Sequence, residues 1–148
     1  MTKLDIRIKK LNPQAQIPTY GTPFSAGADL YALAEQPIVI RPGETVLIHT
    51  GLAMEICEGY GGFVFARSGL ATKKGLAPAN KVGVIDSDYR GEILIPLHNG
   101  GTREAVIENG ERVAQIVFLP YGAAHFVETA ALDDTERGTG GFGSTNKA

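Results

Sequence analysis

The sequence predicts an all-β sandwich or barrel, and three observations carry that prediction. Short β-branched, apolar runs recur along nearly the whole chain. Turn residues separate them, with 19 glycines and 8 prolines in 148 positions. Only one short segment has helical character. Many short strands broken by frequent turns build sandwiches or barrels rather than helix-covered parallel sheets.

The first eleven residues alternate, with Leu4, Ile6 and Ile8 on one side and Asp5, Arg7 and Lys9 on the other. A period of two marks a half-buried strand. Further strands are expected at Ile38–Ile40, Thr45–His49, Ala53–Cys57, Gly62–Ala66, Val82–Ile85, Ile93–Leu97, Ala105–Ile107, Val113–Leu119 and His125–Val127. Turns fall at Arg41-Pro42-Gly43, at residues 58–62, at Asn99-Gly100-Gly101 and at Asn109-Gly110. Asn-Gly between two β-branched runs is a strong hairpin signal, so Asn109-Gly110 is expected to close one. Ser68–Lys74 reads as a helix too short for more than about two turns. No repeat of fixed period is present.

Composition narrows the function classes. A chain that is 43% hydrophobic and 20% charged is not intrinsically disordered. The formal net charge of −2 excludes a surface that attracts nucleic acid broadly, so any anion site must be built locally. No apolar run approaches the ~18 residues needed to cross a bilayer. The N-terminal MTKLDIRIKK lacks the continuous apolar stretch of a secretory signal. Cys57, the single cysteine, cannot form an internal disulfide, which favours a reducing, cytoplasmic compartment. It ends an expected strand, and a buried apolar role is expected for it. His49, His98 and His125 are scattered without metal-ligand spacing and read as structural or surface side chains. No phosphate-binding Walker loop, dinucleotide fingerprint, zinc spacing or nucleophile elbow occurs.

Four clusters place polar groups where turn residues alone would suffice. Ala26-Gly27-Ala28-Asp29-Leu30 sets a carboxylate among small residues that allow a close approach. In Arg67-Ser68-Gly69-Leu70-Ala71-Thr72-Lys73-Lys74, Arg67 and Ser68 open the short helix, where unpaired N–H groups favour an anion. An ordinary helix start with solvated lysines accounts equally for Lys73 and Lys74, but less well for Arg67, whose guanidinium fork suits phosphate oxygens. The third cluster, residues 80–92, is a hydrophobic strand running into Asp86-Ser87-Asp88-Tyr89-Arg90; a solvated turn is its plainer reading. In the fourth, Gly110-Glu111-Arg112-Val113-Ala114-Gln115, the Gln115 amide stands among apolar neighbours and needs hydrogen-bond partners from backbone or ligand. Glycines and small polar residues dominate the C-terminal stretch, yet it carries Arg137 and a lone aromatic, Phe142. It is either a frayed end or a segment that orders over a ligand and lays Phe142 on something flat.

These clusters, in this order and followed by Arg137-Gly138-Thr139-Gly140-Gly141-Phe142-Gly143-Ser144-Thr145, closely resemble the five motifs of the trimeric dUTPases (deoxyuridine triphosphate nucleotidohydrolases). The resemblance covers roughly residues 26–146. It implies a jelly-roll-like distorted β-barrel over residues 1–136 with a Gly-rich lid segment at 137–148. It also implies a homotrimer with sites at subunit interfaces, and hydrolysis of dUTP to dUMP and pyrophosphate. Asp86 resembles the base that activates a water. Asn80 and the backbone of Gly83, Val84 and Ile85 resemble the pyrimidine-reading hairpin, and Tyr89 the group that rejects a ribose 2′-hydroxyl. Arg67, Ser68, Gly69 and Gln115 correspond to phosphate contacts, and Asp29 to the carboxylate that holds waters of a triphosphate-bound Mg²⁺. Arg137, Gly143, Ser144 and Thr145 would grip the outer phosphates while Phe142 stacks on uracil. Asn146 stands where the family often has glycine.

Such a site reconciles a net acidic chain with a highly anionic substrate, because Arg67, Arg137, one of Lys73 or Lys74, and Mg²⁺ would converge on one spot. The resemblance implies no nucleic-acid or membrane partner. A dCTP deaminase of the same architecture, or a non-catalytic nucleotide-binding module, are the alternatives. The deaminase would favour a glutamate in the third motif and lack the Phe-bearing tail. A module that only binds would need neither a base nor a lid.

Overall fold

The computed structural model describes residues 3–141. It bears out the all-β expectation: eleven strands and one short helix make up the regular structure among those residues. In chain order these are β1 (Arg7–Lys10), β2 (Thr19–Tyr20), β3 (Ala28–Tyr31), β4 (Ile38–Ile40), β5 (Thr45–Glu55), β6 (Tyr60–Phe65), α1 (Ser68–Lys74), β7 (Leu76–Pro78), β8 (Gly83–Ile85), β9 (Glu92–Asn99), β10 (Ala105–Ile107) and β11 (Arg112–Pro120). Three sheets form, ordered β1-β5-β9-β7, β10-β4 and β2-β3-β11-β6-β8, with every pairing antiparallel. Side chains from all three, among them Ile48, Ile95, Ile40, Ile107, Leu30 and Ile116, meet in one hydrophobic cluster. No helix among the described residues is long and apolar enough to cross a membrane.

The alternation that marks the N-terminus is realised, with Leu4, Ile6 and Ile8 half-buried between exposed neighbours. Thr45–His49 and Ala53–Cys57, expected as separate strands, are largely one strand, β5, which ends at Glu55. Its register with β9 shifts between His49 and Ala53. Gly51 takes up the bend at φ 67, and a Cβ there would stand 2.6 Å from Leu33 Cδ2. A bulge of this kind bends a strand without ending it. Cys57, just beyond β5, is half-buried rather than buried. The helix occupies Ser68–Lys74 as expected and stops where Gly75 adopts a left-handed φ of 69.

Three strands escape periodicity. β3 is buried along most of its length and contains an acid, so it shows no alternation. β7 ends in Pro78, tolerated because β7 lies at the edge of its sheet. β2 is two exposed residues long. Two expectations fail. His125–Val127 is no strand: it pairs with nothing among the described residues, and Phe126 is 91% exposed. Asn109-Gly110 does form a tight turn, with Glu111 N–H donating to Glu108 C=O. The strands that it joins nevertheless belong to different sheets, β10 pairing with β4 and β11 with β3. The turn docks instead on residues 32–34: Gly110 N–H donates to Ala32 C=O, and Ala34 N–H donates to Asn109 Oδ1. These bonds stabilise a crossover rather than a hairpin.

Asn99 holds the other crossover. It is the last of four inward-facing residues in β9, after Ile93, Ile95 and Leu97, and is fully buried. Its Nδ2 donates to the carbonyls of Ile40 and Arg103, both at 2.8 Å, and its Oδ1 accepts from Gly101 N–H at 2.9 Å. Asn99→Leu strands two carbonyls and one amide inside the protein. Each orphaned group costs about 1–3 kcal/mol, so a loss of at least about 3 kcal/mol is expected in urea denaturation at fixed protein concentration. A change below about 0.5 kcal/mol would show that this crossover does not depend on Asn99.

Candidate active site

The first and fourth motifs lie on the five-stranded sheet, the third on its edge strand and the turn after it, and the second on α1 just beyond its strand β6. The sheet order, β2-β3-β11-β6-β8, sets Asp29 on β3 directly opposite Gln115 on β11, and Gln115 opposite Phe65 on β6. Three motifs distant in sequence thereby become neighbours. Asp29 is buried and accepts from two arginines: Arg67 Nε at 2.7 Å on Oδ1 and Arg112 NH1 at 3.2 Å on Oδ2. One carboxylate between two guanidinium groups leaves a net positive charge at the end of the sheet. The buried carboxylate fixes the Arg67 fork, and removing it would leave those cations without their anion.

Gln115 is half-buried, and its Nε2 donates to Ala66 C=O at 2.9 Å, one residue before Arg67. This bond answers part of the amide's need for partners. The small residues beside Asp29 have a definite use: a Cβ on Gly27 would come within 2.5 Å of Gln115 Oε1. Gly27 makes room for the amide rather than for a backbone. Ser68 and Gly69 open α1 and are exposed, and no side chain among the described residues caps the helix. Lys73 and Lys74 sit in its last turn, away from Arg67. Lys74 is occupied elsewhere, donating to Glu111 and to Val106 C=O.

The third motif lies on β8, beside β6. Among the described residues β8 is an edge strand paired only with β6, in the register Gly62↔Ile85, Phe63↔Val84 and Val64↔Gly83. One edge of Gly83–Ile85 is therefore open to a ligand. Asn80 is exposed and lies over Gly83, whose Cβ would approach Asn80 Nδ2 to 3.2 Å. Between them the chain reverses at Lys81, φ 65, with Val82 N–H donating to Asn80 C=O at 2.7 Å. An i to i+2 bond at positive φ is a rare, strained γ-turn. Asp86 follows β8, is exposed, and enters none of the ion pairs among the described residues. Tyr89 is exposed, with its hydroxyl donating to Glu92 C=O at 3.0 Å.

Within one chain these groups fall into two sets. Asp29, Arg67 and Gln115 are brought together by the Asp29–Arg67 pair and the strand register; Asn80, Gly83–Ile85, Asp86 and Tyr89 lie on and around β8. No hydrogen bond or ion pair among the described residues joins the two sets, although Gly83 pairs with Val64, next to Phe65 opposite Gln115. Arg137 is exposed, and its Nε donates to Gly140 C=O within its own turn. Phe142, Gly143, Ser144 and Thr145 lie outside the described residues. Sequence reasoning passed over Arg112 as a site residue. Its place beside Asp29 depends on a bulge in β11 between Arg112 and Ala114, which no local signal announces.

A family model described as dUTPase matches residues 13–146 of the chain. The chain belongs to the dUTPase family. Among curated relatives of this family member, a deoxyuridine 5′-triphosphate nucleotidohydrolase of Desulfitobacterium hafniense is 52% identical over 144 residues, covering 97% of this chain and 95% of its own. One from Nautilia profundicola is 49% identical over 144 residues, covering 97% of this chain and all of its own. Among solved structures, a mutant of the Staphylococcus bacteriophage 80alpha dUTPase with dUpNHpp superposes with a TM-score of 0.87. Its identity is 27%, with 95% of this chain and 98% of that one covered.

Proposed function

We propose that this family member hydrolyses dUTP to dUMP and pyrophosphate. Water attacks the α-phosphorus in line with the α–β bridging oxygen. Asp86 takes the proton that the water gives up, and the bridging oxygen leaves with pyrophosphate. Carboxylates are weak bases in water, so Asp86 acts by placement rather than basicity. The open edge of Gly83–Ile85, with Asn80, reads uracil. The wrong base would leave buried donors and acceptors unpaired, which discriminates strongly. Tyr89 lies against the deoxyribose. Arg67, Ser68, Gly69 and Gln115 take the phosphates, and Arg137, Gly143, Ser144 and Thr145 grip the outer ones while Phe142 stacks on the base. The segment 137–148 acts as the lid, with residues 1–136 as the body. The observation that carries this reading is the Asp29-anchored Arg67 beside Gln115, on the same sheet as the exposed Asp86.

Mg²⁺ enters this scheme with the substrate. Among the described residues no three His, Cys, Asp or Glu side chains gather into a metal cage. Both Asp29 oxygens already accept from arginine. These side chains do not build a resident site, whereas triphosphate oxygens chelate Mg²⁺ readily. Asp29 is the carboxylate proposed to accept from the waters of that chelate while it orients Arg67.

A complete site is assembled between copies of the chain, as a homotrimer. One observation supports this: residues 121–139 are exposed throughout, with Phe126 and Leu132 91% and 87% exposed. An apolar arm with no cover in its own chain suits a neighbour. The substrate assignment is tested by pyrophosphate release from dUTP, dCTP, dTTP and UTP under identical conditions. Release from dUTP with at least ~100-fold preference over each of the others is expected. Comparable release from dCTP, or none from dUTP, would overturn it.

A further inference from the structure

The role of Tyr89 demands more than a tyrosine at that position. A ring that rejects one hydroxyl must be held still, because a freely swinging side chain would yield to it. Tyr89 projects from an exposed turn and gains little support from the core. What restrains it is local. Its hydroxyl donates to Glu92 C=O, and its N–H donates to Asp86 C=O at 3.2 Å. Arg90 braces the same turn, its NH1 donating to the carbonyls of Ser87 at 2.7 Å and Tyr89 at 3.1 Å.

Gly91 completes the arrangement. A Cβ built on Gly91 would stand 2.5 Å from Tyr89 Cζ and 2.9 Å from Cε2, and would overlap the hydroxyl oxygen. The backbone does not call for glycine here, since Gly91 is absent from the glycines of positive φ, unlike Gly43, Gly59, Gly75 and Gly110. Nor does it stand in open space, as Gly59, Gly69 and Gly122 do. The atoms that a methyl group would displace belong to one side chain, the Tyr89 ring. Gly27 beneath Gln115 shows the same device.

We infer that Gly91 is a positioning residue for sugar selection: its bare Cα and the adjacent Glu92 carbonyl form the seat that holds the Tyr89 ring. This rests on the proposed sugar-reading role of Tyr89. Because the displaced atoms end a flexible side chain, Gly91→Ala moves the ring at little cost to folding.

The test compares kcat/KM for dUTP, UTP and dCTP in the full-length protein, in Gly91→Ala, Tyr89→Ala and the double variant. Gly91→Ala is expected to lower the dUTP:UTP ratio by roughly 10-fold, within the ~100-fold that exclusion of a hydroxyl provides. The dUTP:dCTP ratio, read at β8, should stay within about 3-fold. Adding Gly91→Ala to Tyr89→Ala should change the sugar ratio no further, as expected of residues acting through one contact. An unchanged sugar ratio in Gly91→Ala, alongside a lowered one in Tyr89→Ala, overturns the seat and leaves the reading of Tyr89 intact. So does an equal fall in both ratios, or an effect that persists in the double variant. An unchanged ratio in Tyr89→Ala removes the sugar-reading role itself. If Gly91→Ala fails to fold, Tyr89→Phe decides: it keeps the ring and deletes only the Glu92 bond. A lowered sugar ratio then supports the seat, and an unchanged one overturns it.

Discussion

Asp86→Asn is expected to bind dUTP about as well as the parent chain and to turn it over at least ~100-fold more slowly, the scale of a positioned base. The substitution keeps shape and removes the ability to take a proton. Asp86 is exposed and unpaired among the described residues, so the change disturbs no ion pair and should not affect folding. This distinguishes it from Asp29, whose loss would release two arginines at once. Calorimetric titration with a non-hydrolysable dUTP analogue gives the affinity, and single-turnover pyrophosphate release gives the rate. Near-normal turnover would take Asp86 out of the role. Slow turnover with equally weakened binding would make it a substrate contact instead.

A chain ending at Glu136 should remain folded and assembled, with turnover reduced at least ~100-fold by loss of the lid. Among the described residues the last strand ends at Pro120, and the hydrogen bonds made by residues 137–141 are local, such as Gly138 N–H to Thr135 C=O. The body therefore loses little. Ordering a glycine-rich segment costs about 1–2 kcal/mol per residue, so closure must be offset by ligand contacts from Arg137, Phe142, Ser144 and Thr145. Sedimentation and thermal unfolding report on assembly and fold, and pyrophosphate release on the lid. Unfolding of the truncated chain would make the segment structural, and unchanged turnover would leave the lid without a role.

Local signals proved reliable where a local cause sets the structure. Alternating Leu4, Ile6 and Ile8 mark a half-buried strand, Ser68–Lys74 is helical residue for residue, and Ala105–Ile107 is a strand with the expected bounds. They failed where the cause is distant. Ala28–Tyr31 is a strand because β11 and β2 flank it, and its burial erases the pattern that would have revealed it. His125-Phe126-Val127 has strand-like residues and no strand to pair with among the described residues. Asn109-Gly110 turns the chain as expected, but the partners of its flanking strands are chosen by the sheets, not by the turn.

The site divides in the same way. Chemical types and their order along the chain are local facts, and they sufficed to identify the family and the residues worth testing. That Arg112 joins Asp29, that Gln115 faces Asp29 across two strands, and that Gly91 lies under Tyr89 became visible only in three dimensions. Register and strand order arise from burying apolar faces far apart in sequence, so no window of residues encodes them. The amino-acid sequence by itself determined which side chains are proposed to bind a nucleotide and in what order. The tertiary structure alone decided which of them become neighbours, because strand register is set by burying apolar faces far apart in sequence.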